Sequence, residues 1–266
     1  MTRKLEALIF DVDGTLAETE RLGHLPAFNR AFAEAGLEWR WSEALYGELL
    51  KVGGGKERIT RYLRDHGAVL PPAMGEVADV IPRLHQAKNR HYAAAMARGE
   101  LPPRPGVVRL MKEAQAGGLR LAIATTTSPE NVDALLTHSF GPDVAAWFDV
   151  VGAGDVVPHK KPAPDIYHYV LDELGLCAQA CLALEDTANG VQSAVGAGIP
   201  TVVTVSDYSR GEDFSGAVLV VDQLGEPDRP MTVLGGDACG HRWVDLALLR
   251  KLHARAVGGQ QVLHGA

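Results

Sequence analysis

Six short runs of apolar, largely β-branched residues punctuate the chain: Ala7–Phe10, Leu121–Ala124, Phe148–Val151, Cys181–Leu184, Thr201–Val205 and Val218–Val221. Each is nearly continuous rather than alternating. Alternation marks a strand with one wet face, whereas continuous runs mark strands covered on both faces, as in a parallel sheet. Helical stripes fall between them. Val107, Leu110, Met111 and Ala114 recur with helical spacing, with Pro105 read as a first-turn residue and Gly117-Gly118 as the stop. Trp243, Leu246, Leu249 and Leu252 space like a terminal helix. Strands alternating with helices imply βαβ units, right-handed crossovers and an α/β fold.

Residues 18–100 break this alternation and contain no strand-like run. Phe28, Ala31, Phe32 and Ala35 form one helical stripe, and Ala78–Ala97 reads as a long helix. Pro102-Pro103-Arg104-Pro105 marks the return. The expected organisation is a core from residues 1–17 and 101–266, with an inserted helical cap from 18–100 joined by a two-stranded hinge. Leu224–His241 is rich in Gly and Pro and reads as loop.

Composition removes several function classes. With 26 Lys+Arg against 33 Asp+Glu the net charge is −7, which argues against a chain-wide nucleic-acid or membrane footprint. No stretch approaches the roughly 18 apolar residues of a membrane span. The cysteines Cys177, Cys181 and Cys239 form no CxxC pair, so neither a disulfide framework nor a zinc site is expected. The apolar run after Met1-Thr-Arg-Lys stops at Asp11, too soon for a signal peptide, and a cytoplasmic location is expected.

Phe10-Asp11-Val12-Asp13-Gly14-Thr15 carries the first chemical signal. Charged side chains directly after a buried strand are costly unless they face a cation or a cleft. In open α/β sheets the ligand crevice lies beyond the carboxyl ends of the strands. Asp11 and Asp13 project to one side of extended chain, and Gly14 permits the turn that follows. One carboxylate can serve as nucleophile and the other as acid and base, with Mg²⁺ assisting phosphoryl transfer. The competing reading is an Asx turn.

Three further strand ends repeat the pattern. Thr125-Thr126-Thr127-Ser128 offers a hydroxyl and backbone amides for phosphate oxygens, or merely the cap of a helix starting near Pro129. Lys161, in Lys160-Lys161-Pro162, can neutralise the phosphoryl group and the nucleophile, while Lys160 reads as a solvated surface charge. Glu185-Asp186 ends the fourth run and calls for a metal, unless Asp186 caps a helix over Ala188–Ala197. Four coincidences in sequence order outweigh four separate structural explanations.

The order DVDGT, ATTTS, KKPAPD, LED resembles the haloacid dehalogenase (HAD) superfamily of Mg²⁺-dependent phosphohydrolases over roughly residues 5–222. The inserted helices resemble the cap of the subgroup that contains β-phosphoglucomutase and phosphoglycolate phosphatase. Asp11 to Glu20, Gly54-Gly-Lys-Glu-Arg58 and Ala124 to Ser128 are similar to the CbbY-like sugar phosphatases. The resemblance implies a Rossmann-like HAD core with a parallel sheet plus the helical cap. It further implies hydrolysis of xylulose 1,5-bisphosphate to xylulose 5-phosphate, with a sugar phosphomutase or a phosphoglycolate phosphatase as alternatives. It makes Asp11 the nucleophile, Asp13 the proton donor and later the base, and Thr125 and the Thr126 amide phosphoryl binders. Lys161 balances charge, and Asp11, the Asp13 carbonyl, Asp186 and Glu185 (the last through water) hold Mg²⁺. In the cap, Glu20 and His24 flank the hinge, and the Gly53-Gly54-Gly55-Lys56 loop with Arg58 suits a second phosphate at a helix N-terminus. The competing reading of these cap residues is the surface of a helical bundle. The expected partner is a small phosphosugar, with neither nucleic acid nor membrane, and a monomer is compatible with the resemblance.

Overall fold

The computed structural model describes residues 3–52 and 54–263. Gly53, read from the sequence as part of the glycine-rich loop, lies outside the described residues. The chain divides into two compact units, one of Met1–Glu18 with Pro102–Ala266 and one of Thr19–Leu101.

The Thr19–Leu101 unit is helical. A π-turn at Glu20–His24 leads into α1 (Leu25–Glu34), followed by α2 (Glu43–Leu49), α3 (Gly55–Asp65) and α4 (Val77–Ala97). The apolar stripe of α1 buries Phe28, Ala31 and Phe32, while Ala35 ends the helix instead of extending it. Phe28 packs on Trp41 with ring centroids 4.6 Å apart, and Phe32 on the same indole at 4.9 Å. Asn29 fixes that indole's backbone from both sides: its Nδ2 donates to the Trp41 carbonyl at 2.9 Å, and its Oδ1 accepts from the Trp41 amide at 2.8 Å. Such aromatic packing gives a small unit a core of its own.

The other unit is built on a seven-stranded sheet: β1 (Ala7–Phe10), β2 (Arg120–Ala124), β3 (Phe148–Gly152), β4 (Cys181–Glu185), β5 (Thr201–Thr204), β6 (Leu219–Val221) and β7 (Val233–Gly236). The order is β3-β2-β1-β4-β5-β6-β7, with every pair parallel except β6–β7. All residues of β1, β4 and β5 are buried, as their continuous apolar sequences require. The sheet is accompanied by α5 (Val107–Ala116), α6 (Pro129–Leu135), α7 (Asp165–Leu174), α8 (Ala188–Gly196) and α9 (Leu246–Leu263).

Several local expectations are corrected. The Leu224–His241 stretch is not all loop, because it contributes β7. That edge strand is mostly exposed and ends in Gly235-Gly236, so it leaves no apolar run to read; a Cβ on Gly236 would lie 2.7 Å from the Val218 carbonyl oxygen. Pro105 precedes α5, whose N-cap is Gly106 at φ 87°. Trp243 likewise lies before α9, which Asp245 caps by accepting from the Leu248 amide at 2.7 Å. Thr187, not Asp186, caps α8, accepting from the Gly190 amide at 3.1 Å. Asp186 is thereby left for other work.

Candidate active site

β1 lies between β2 on one side and β4 on the other. The direction of chain progression reverses there, which opens a crevice at the carboxyl ends of the strands. Asp11 follows β1, Thr125 follows β2, Glu185 closes β4 and Asp186 comes next. Lys161 arrives from the segment before α7.

Lys161 joins these groups. Its Nζ lies 2.6 Å from Asp11 Oδ1 and 2.6 Å from Glu185 Oε1, and it donates to the Ala124 carbonyl at 2.8 Å. One carboxylate oxygen each from Asp11, Glu185 and Asp186 lie within 4.8 Å of one another, and all three residues are buried. Tyr167, on α7, donates its hydroxyl to the same Oε1 at 2.5 Å.

The electrostatics follow from burial. Three acidic groups cluster and the Lys161 ammonium pairs with two of them, Asp11 and Glu185, so negative charge is in excess in a dehydrated place. Burial drives the Asp11 carboxyl up to about 7; Lys161 opposes the shift and Glu185 adds to it. Burial also pushes Asp186 well above the usual carboxylate range, helped by Asp11 and Glu185. Burial disfavours the Lys161 ammonium, but Asp11 and Glu185 outweigh it and hold the proton firmly.

The residues fit a divalent cation. Glu185 Oε2 is buried with no hydrogen-bond partner. A buried carboxylate oxygen left unpaired beside two other acids wants a positive charge. An all-oxygen, carboxylate-rich donor set suits a hard divalent ion. Gly190 makes room for the Glu185 carboxylate, since a Cβ there would meet Oε2 at 1.8 Å.

The remaining core residues sit around this cluster. Asp13 is half-buried and its carboxylate accepts from the Thr127 hydroxyl. Thr125 is buried; its Oγ1 accepts from the Thr127 amide at 3.2 Å, and its own amide is spent on the Gly152 carbonyl at 2.9 Å. Thr126 is exposed. Ser128 caps α6, whereas the Thr127 hydroxyl turns to Asp13. Lys160 is an exposed partner of Asp155 at 2.8 Å. Tyr167 and Thr127 were missed because each has an ordinary local explanation, a core position and a cap. The one available signal for Tyr167 is its place on the buried face of the helix that Lys161 precedes.

Within the helical unit, Glu20 and Arg58 do come together. Tyr46 donates to Glu20 Oε2 at 2.5 Å, Arg58 Nη1 donates to the Tyr46 oxygen at 3.0 Å, and Arg58 Nη2 lies 3.5 Å from Glu20 Oε1. His24 is buried and stacked on Tyr92 with centroids 4.0 Å apart. Burial pushes its pKa well down, and the cations Lys88 and Arg58 push in the same direction. Gly55 is the first residue of α3, where a Cβ would meet the His85 ring at 2.6 Å. Lys56 is exposed. Sequence reading missed Lys88, a buried lysine whose Nζ lies 5.4 Å from the Phe28 ring centroid and 5.1 Å from that of Tyr92.

The family model of haloacid dehalogenase-like hydrolases matches residues 5–198. The chain belongs to this family, and it is an enzyme of the phosphatase kind. Within the family its relatives include CbbY proteins. It is 51% identical over 252 residues to the plasmid-borne CbbY of Cupriavidus necator, covering 94% of this chain and 97% of that one. It is 47% identical to CbbY of Cereibacter sphaeroides over 222 residues, 84% of this chain and 94% of the relative. A crystal structure of a mutant CbbY from Rhodobacter sphaeroides, in complex with xylulose-(1,5)bisphosphate, matches with a TM-score of 0.72 at 47% identity, over 82% of this chain and 94% of that chain.

Proposed function

We propose that the chain is a Mg²⁺-dependent phosphatase of small sugar phosphates, with xylulose 1,5-bisphosphate as substrate and xylulose 5-phosphate and inorganic phosphate as products. The observation that carries the reading is the Lys161 ammonium bridging Asp11 and Glu185 beside Asp186 at the switch point of the sheet. A relative at 47% identity crystallised with this bisphosphate supports the substrate.

In this reading a carboxylate oxygen of Asp11 attacks phosphorus in line with the departing sugar oxygen. The P–O bond to the sugar breaks as the Asp11–phosphorus bond forms. Asp13, held by Thr127, delivers its proton to the leaving oxygen and so spares it an alkoxide charge. Asp13 then takes a proton from water, which attacks the aspartyl-phosphate and returns Asp11 to its carboxylate. Thr125 and the Thr126 amide hold equatorial phosphoryl oxygens, and Lys161 offsets their charge. Asp11, the Asp13 carbonyl and Asp186 would hold Mg²⁺, with Glu185 acting through water. When bound, the ion supplies charge neutralisation at the phosphoryl oxygens and among the acids. Within the helical unit, Lys56 and Arg58 are read as the cations for a second phosphate.

The test is phosphate release from xylulose 1,5-bisphosphate, ribulose 1,5-bisphosphate and phosphoglycolate, with and without Mg²⁺. The highest kcat/KM is expected for the first substrate. A higher value for phosphoglycolate overturns the substrate, and an isomerised sugar phosphate without free phosphate would instead identify a phosphomutase. Undiminished turnover by Asp11→Asn overturns the nucleophile.

A further inference from the structure

Arg104 lies in the segment that carries the chain back into the sheet-containing unit after Leu101. Its side chain is only 7% exposed. Nη1 donates to the Gly14 carbonyl, to the Thr204 carbonyl at 2.9 Å and to Thr204 Oγ1 at 3.2 Å. Nη2 donates to the carbonyls of Val205 at 2.7 Å and Asp222 at 2.9 Å. Nε faces Glu18 Oε1 at 3.3 Å. A guanidinium has five N–H donors in a rigid fork and no acceptor. Here the fork is spent on one carboxylate, one hydroxyl and four main-chain carbonyls, which come from the turn after β1, the end of β5 and the end of β6.

Gly14 is the point of contact with the acidic cluster. It adopts φ 82°, and a Cβ added there would lie 2.0 Å from Asp186 Oδ2. Its backbone is therefore pressed against the Asp186 carboxylate while its carbonyl is held by Arg104. A buried arginine with its donors committed in this way is a strut, with nothing left to offer a substrate.

We propose that Arg104 is a positioning residue for phosphoryl transfer, tying the Asp11–Gly14 turn to the ends of β5 and β6 and so setting its distance from Asp186. This rests on the reading of Asp11 and Asp13 as the reacting pair and of Asp11 and Asp186 as metal ligands. A lysine keeps the charge but offers a single compact donor group, which cannot span these carbonyls.

The experiment compares the full chain with Arg104→Lys. Mg²⁺ binding is measured by calorimetry without substrate, and kcat and KM are measured well below the melting temperature. The expected result for Arg104→Lys is Mg²⁺ affinity and kcat each lowered about tenfold, with KM close to that of the parent. In Arg104→Ala, added methylguanidinium is expected to restore part of kcat, whereas a collapsed fold would gain nothing from such a cation. If the alanine variant does not fold, the lysine variant still decides. Parental Mg²⁺ affinity and kcat in Arg104→Lys, or a loss confined to KM, overturns the proposal. A parent that hydrolyses no phosphate ester, together with weakened Mg²⁺ binding in Arg104→Lys, overturns the functional reading and leaves the positioning role standing.

Discussion

Tyr167 donates its hydroxyl to Glu185 Oε1 at 2.5 Å, the oxygen that also receives the Lys161 ammonium. Two donors thus converge on one carboxylate oxygen and leave Oε2 as the unpaired one. Tyr167→Phe removes a single oxygen atom from this arrangement. Mg²⁺ affinity is expected to fall roughly tenfold, as for partners that orient a metal's ligands. Calorimetric Mg²⁺ titration of the variant reads this directly, and unchanged binding would contradict it.

Asp11 and Lys161 make an asymmetric pair. In metal-free protein, Asp11→Asn relieves like-charge crowding with Glu185 and leaves Lys161 its other carboxylate. Its melting temperature is expected to equal or exceed that of the parent, while turnover disappears. Lys161→Met strands buried carboxylates without their ammonium and is expected to destabilise by about 3–5 kcal/mol. Thermal melts of Asp11→Asn and denaturant melts of Lys161→Met check the two signs.

His24 is kept neutral by burial, its pKa lying well below the ordinary value. In the unfolded chain it takes a proton near pH 6.5. Below that pH the unfolded state binds a proton that the native state refuses, so stability falls as pH drops toward the native value, by up to about 1.4 kcal/mol per pH unit. Above the unfolded pKa the contribution is flat. The pH dependence of unfolding free energy is expected to flatten in His24→Phe over this acidic window. An unchanged slope would mean that His24 does not titrate on unfolding.

Gly190 sits inside α8, where alanine would ordinarily be favoured by about 1 kcal/mol. Here a Cβ would collide with the Glu185 carboxylate. Gly190→Ala is expected to be destabilising by roughly 1–3 kcal/mol, the usual effect of overfilling a packed site, and to lower activity by displacing Glu185. Thermal melts and turnover of this variant test both effects.

The central parallel strands were legible because buried strands must be apolar on both faces, and Ala7–Phe10 or Cys181–Glu185 can be little else; β3, at the sheet edge, is legible from its apolar residues although Asp149 and Val151 are exposed. β7 was not, because an exposed edge strand containing two glycines obeys no such requirement. Asp11, Glu185 and Asp186 announce themselves as charges closing apolar runs, and the structure sets them within reach of one another and brings Lys161 to Asp11 and Glu185. Tyr167, Thr127 and Arg104 act through long-range hydrogen bonds, and local sequence offers each a simpler explanation. Lys88 was obscured differently: a titratable side chain buried among aromatic rings is visible only once the rings have been packed.

Ala17 is bridged to Pro103, and the Arg104 amide donates to the Leu16 carbonyl at 2.8 Å. The chain thus leaves the sheet-containing unit and re-enters it at neighbouring points, stitched together like the neck of a pouch. What is threaded between them is spared any duty in completing the sheet. Substitutions within that interlude therefore need not disturb the strand pairing on which Asp11, Glu185 and Asp186 are mounted.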